Sequence, residues 1–100
     1  MAEPNVAKAL QNEFIRAARE CVAIGYHPTQ FLQMLGELGP VTASIQLVIG
    51  NHEGFEQLWQ LDRLDLSVEA IILREPYCNL FSDEVLERAR QKLQEFDFQV

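Results

Sequence analysis

Apolar residues recur at three- and four-residue intervals through most of this chain, the spacing of helices that bury one face. Between Val6 and Ile24 the large residues Leu10, Phe14, Ile15, Val22 and Ile24 are interleaved with Ala17, Ala18 and Cys21. The segment predicts a first helix, capped by Asn5 and closed by Gly25. Glu13, Arg16 and Glu20 fall three and four apart on its solvent side, where they can pair. Pro28 suits the first turn of a second helix, because its missing N–H would be unpaired there anyway, and Phe31, Leu32, Met34, Leu35 and Leu38 supply the apolar stripe. Gly39-Pro40 stops that helix, and Pro40 opens a third through Val41, Ile45, Val48 and Ile49. The β-branching of Leu47-Val48-Ile49 leaves a short strand as the alternative there.

Two glycines then bracket three polar residues in Gly50-Asn51-His52-Glu53-Gly54, a loop with no apolar anchor. Phe55, Leu58, Trp59 and Leu61 mark a fourth helix, joined by a sharp turn to a fifth. Ser67 caps the fifth, which carries Val68, Ile71, Ile72 and Leu73 until Pro76 ends it. Ser82-Asp83-Glu84 opens the last helix, with acids at the positive end of its dipole, and Val85, Leu86, Ala89, Leu93 and Phe96 form its buried face. The expected architecture is all-α, a compact bundle of about six short helices with irregular orthogonal packing, residues 6–98 forming one domain behind a flexible N-terminus at 1–5.

Charge narrows the function. Lys and Arg total 8 against 15 Asp and Glu, and no basic residue occurs between Arg19 and Arg63. Nucleic acid is held largely by cations on phosphates, so direct binding to it is not expected; a protein partner, and a basic one, suits the chain better. The basic residues of the outer helices, Arg16 and Arg19 or Arg88, Arg90 and Lys92, are matched by acids. Met1-Ala2-Glu3-Pro4-Asn5 lacks the features of an export signal, and no apolar run reaches the roughly 18 residues of a membrane span. Cys21 and Cys78 sit among apolar neighbours without framework spacing, which predicts reduced, buried thiols and a cytoplasmic address.

Motifs for chemistry are fragmentary. Gly50-Asn51-His52-Glu53 resembles the GNH(D/E) element of calcineurin-like metallophosphoesterases, but the chain has one other histidine, His27, where a two-metal site needs several more ligands. His52-Glu53 begins an HExxH, yet Glu56 stands where the second histidine belongs. Cys21, His27, His52 and Cys78 include the atoms of a zinc site at spacings that match no finger. The glycines at 25, 36, 39, 50 and 54 make no phosphate loop. No catalytic, metal or cofactor site is therefore expected. Arg63, between Asp62 and Asp65, should form a local ion network. The helical spacing of Phe55, Trp59, Tyr77 and Phe81 predicts core; an exposed Trp59 would mark an interface instead.

Leu58-Trp59-Gln60-Leu61-Asp62-Arg63-Leu64-Asp65-Leu66-Ser67-Val68-Glu69-Ala70, followed by Leu80-Phe81-Ser82-Asp83-Glu84, resembles a small uncharacterised bacterial helical domain with the pattern LWxLxRLDLSVEA and LF(T/S)DEE. That resemblance implies a bacterial, cytoplasmic setting and carries no activity with it. The leading expectation is a non-enzymatic interaction or regulatory module, with Trp59, Arg63, Asp62, Asp65, His52 and Glu53 as its surface, and with self-association as a homodimer also open. The alternatives are an acidic protein acting on a nucleic-acid-binding partner, as a phosphate mimic or a regulator, and a small enzyme whose site has no familiar motif.

Overall fold

In the computed structural model, which describes residues 5–50 and 53–98, local chemistry sets most helix ends. Helix α1 (Val6–Ala23) starts at Asn5, whose side chain accepts the Lys8 N–H at 3.0 Å. The rest of the expected flexible N-terminus, residues 1–4, lies outside the described residues. At its other end, the Tyr26 N–H donates to the Cys21 carbonyl at 2.8 Å and the Gly25 N–H to that of Val22 at 3.1 Å. This is the Schellman arrangement, and it needs the positive φ of 97° that Gly25 adopts.

Helix α2 (Thr29–Leu38) begins one residue later than Pro28 suggests. The Thr29 N–H turns back to the His27 carbonyl at 2.9 Å, and this tight turn holds Pro28 outside the helix as its N-cap. Gly39, at φ 84°, redirects the chain into α3 (Pro40–Ile49), where Pro40 takes the first helical position. Residues 47–49 are helical, so the strand alternative does not occur.

Then follow α4 (Glu53–Gln60), a 3-10 turn at Leu64–Leu66, α5 (Val68–Ile72), a second 3-10 turn at Tyr77–Leu80, and α6 (Asp83–Glu95). Among the described residues the fold is all-α, a compact bundle of six helices with no strand. Its principal extents are 43 × 26 × 20 Å.

The shortest helix is the centre. All five residues of α5 are buried, and it packs against α6, α3 and α1. A helix this short has too few internal hydrogen bonds to persist in water, so packing holds it. Ile71 and Ile72 are wholly buried, each worth about 1.5–3 kcal/mol of transfer free energy. Ser67 fixes its start as expected, accepting the Ala70 N–H at 3.1 Å and donating its hydroxyl to the Leu64 carbonyl at 2.7 Å. The helix ends at Ile72, well before Pro76, because the chain turns there and the Arg74 N–H closes on the Ile71 carbonyl at 3.1 Å. Leu10 and Phe14 of α1, Val48 of α3 and Leu93 of α6 complete the innermost layer. Cys21 is buried as expected, whereas Cys78, on the second 3-10 turn, is only half-buried. No described helix is long and apolar enough to cross a membrane.

Candidate interaction surface and cleft

Helix α4 turns Phe55 and Leu58 into the core, each 4% exposed, and leaves Trp59 at 48%. The core expectation therefore holds for Phe55 and for buried Phe81, while Tyr77 is half-buried and Trp59 departs from it. One residue beyond Leu58, Trp59 lies at the edge of the apolar stripe. There the Phe96 ring meets it edge to face at 5.2 Å. The same Phe96 ring meets Phe55 at 5.0 Å, so the exposed indole is braced by an aromatic row that reaches the core. Leu61, two residues further on, is also exposed, at 41%.

Both helices that contribute to this patch end like α1, but with aspartate where α1 has glycine. At α4 the Arg63 N–H donates to the Leu58 carbonyl at 2.8 Å and the Asp62 N–H to that of Trp59 at 3.0 Å, with Asp62 at φ 61°. At α6 the Phe98 N–H reaches Leu93 at 2.9 Å and the Asp97 N–H reaches Gln94 at 3.0 Å, again with φ 61° at Asp97. A side chain in the left-handed region is strained, and a carboxylate faces the negative end of each helix dipole. Glu56, one turn before Trp59, and Glu95, beside Phe96 in the chain, are also exposed.

The network expected around Arg63 forms with Asp65 and with a residue far off in sequence. Arg63 Nε lies 3.0 Å from Asp65 Oδ1, and its Nη2 lies 3.4 Å from Oε2 of Glu20 on α1. The hydrogen bond from Arg63 holds the Asp65 carboxyl below its ordinary range. Of the remaining expected surface residues, His52 lies outside the described residues, as does the Glu53 side chain, whose backbone opens α4.

Sequence reasoning missed Glu69 and treated Lys92 as an ordinary surface cation. Glu69 is 0% exposed and its Oε2 lies 2.7 Å from Lys92 Nζ, itself on a side chain 7% exposed. The ammonium also lies within hydrogen-bonding reach of the carbonyls of Leu47 at 3.1 Å, Val48 at 3.3 Å and Gly50 at 3.1 Å, which share its remaining two N–H groups. It thereby caps the C-terminus of α3, whose own last turn has no basic residue. The available signal was positional: Val85, Ala89, Lys92 and Phe96 fall on one helical face.

Helix α1, the start of α2, α4 and the segment leading into α5 line an open cleft of about 400 Å³. Phe14, Ala18, Leu58 and Val68 form apolar walls, and His27, Thr29, Gln30 and Gln57 stand at its exposed mouth. Cys21 lines it too. Burial pushes this thiol above its ordinary value, with Arg63 pulling the other way, which favours the unreactive protonated form. No group of three or more His, Cys, Asp or Glu residues that could hold a metal ion occurs among the described residues. Compared with known proteins, the chain matches no family model, no curated protein and no solved structure.

Proposed function

We propose that this domain is a non-enzymatic interaction module that docks a basic protein through the surface around Trp59 and Asp62. The carrying observation is Trp59, a half-exposed indole braced by Phe96, with Glu56 and Asp62 one helical turn to either side in the chain. Tryptophan is the residue type that most often concentrates binding energy at protein interfaces, and a braced ring loses little conformational freedom on docking. The left-handed aspartates support the same reading, since strain kept at an exposed turn is a common mark of a working surface. A formal charge of −7 would steer a basic partner toward it. A bacterial cytoplasm is the setting this reading takes.

The test is affinity capture by the tagged protein from nuclease-treated extract, with wild type and Trp59→Ala compared at low and high salt. A partner that wild type retains at low salt and releases at high salt, and that Trp59→Ala binds at least about tenfold more weakly with an unchanged circular dichroism spectrum, is the expected result. Equal retention by both proteins would sink the proposal.

A further inference from the structure

The cleft between α1, α2 and α4 offers a site separate from the Trp59 patch, and its lining is selective. Acidic and basic residues make up 23% of the chain, yet none of the described residues that line the cleft is Asp, Glu, Lys or Arg. Arg63, Asp65 and Glu20 pair with one another at part-exposed positions outside the lining. A volume of about 400 Å³ falls in the range of small-molecule sites, as does the combination of apolar walls with a few polar groups at the opening. A charged ligand would lose its hydration against these apolar walls, and among the described lining residues only the exposed imidazole of His27 could carry a charge, so such a ligand is disfavoured.

We infer that the cleft binds an uncharged, mostly apolar small molecule, its apolar body against Phe14, Ala18, Leu58 and Val68. One hydrogen-bonding group of the ligand would be met at the mouth by the carboxamides of Gln30 and Gln57 or the hydroxyl of Thr29. The occupant is a small molecule: the volume matches such sites, and the exposed lining residues His27, Thr29, Gln30 and Gln57 supply a few polar contacts.

The test uses phenylnaphthylamine, a neutral dye that fluoresces in apolar surroundings, titrated into the intact protein. Saturable binding of one dye per chain is expected, with amide shifts by NMR on α1 and α4 residues of the cleft. Filling the wall by Ala18→Met and charging the exposed mouth by Gln57→Lys should each weaken binding about tenfold. Gln57 is exposed, so its variant tests the site even if Ala18→Met proves unstable. Trp59→Ala should leave dye binding unchanged, which separates this site from the docking patch. Binding that does not saturate, that ignores both cleft variants, or whose shifts centre on Trp59 and Leu61 overturns the inference.

Discussion

Lys92 shows how one residue can serve two elements. Its ammonium satisfies carbonyls at the end of α3 that no intrahelical N–H reaches, and it neutralises Glu69 at the centre of the fold. Its Nζ also lies 5.4 Å from the centroid of the Phe55 ring, linking the buried pair to the aromatic row that braces Trp59. Two charges removed from water repay their desolvation only while both are present. Lys92→Met should therefore cost about 3–5 kcal/mol in urea denaturation, because it takes the lysine's counter-charge from the buried Glu69 carboxylate. Adding Glu69→Leu should restore most of that loss. Equal losses in the single and double variants would instead place the lysine's contribution in the α3 carbonyls.

Among the elements, α4 and α6 are alike in how they stop. Both place aspartate at a position where α1 has glycine, and both ends carry aromatic residues of the patch. Asp62→Gly should relieve the left-handed strain and the unfavourable dipole contact, raising stability by about 0.5–1 kcal/mol. On the proposed function the same variant should weaken capture of a basic partner, so stability and binding would move in opposite directions. Thermal melts paired with the capture assay read both. A variant that is less stable would mean that the Asp62 side chain makes a contact worth more than the strain. Leu61-Asp62-Arg63 holds no glycine to announce a left-handed turn; that conformation emerges only from the helix end it closes.

At the scale of the molecule, ion pairs tie α1 to the chain that follows α4. Glu13 Oε2 lies 3.1 Å from Nη1 of Arg74, which is 61 residues away, and Glu20 meets Arg63 across 43 residues. The hydrogen bond from Arg16, helped by Arg74, holds the Glu13 carboxyl below its ordinary 4.5, and Arg63 holds Asp65 below 3.8. Both folded values lie below the unfolded ones. These contributions are therefore complete above the unfolded values and disappear as pH falls through the folded ones. Urea midpoints should drop on acidification from neutral pH to about pH 3, and the drop should be shallower in Arg16→Gln and Arg63→Gln, which lack the cause of the shift. Parallel pH profiles for wild type and variants would assign acid sensitivity to other carboxylates.

The sequence by itself determined the helices and most of their ends. Asn5, Gly25, Pro40, Ser67 and Ser82 act on backbone groups within three or four residues, so their effect is legible from neighbours alone. Apolar periodicity likewise fixed most of the buried face of α1 and α6, since that face follows from spacing, although Val22, expected with the apolar residues of α1, is 48% exposed. Tertiary structure decided what spacing leaves open. Trp59 and Leu58 are adjacent in sequence, and only the position of Phe96 and the edge of the core separates an exposed ring from a buried side chain. Lys92 reads as a surface cation until Glu69, 23 residues earlier, and the end of α3 are brought to it. The cleft, too, exists only where α1, α2 and α4 converge. Exposure and charge compensation depend on groups distant in the chain, and folding alone chooses those neighbours.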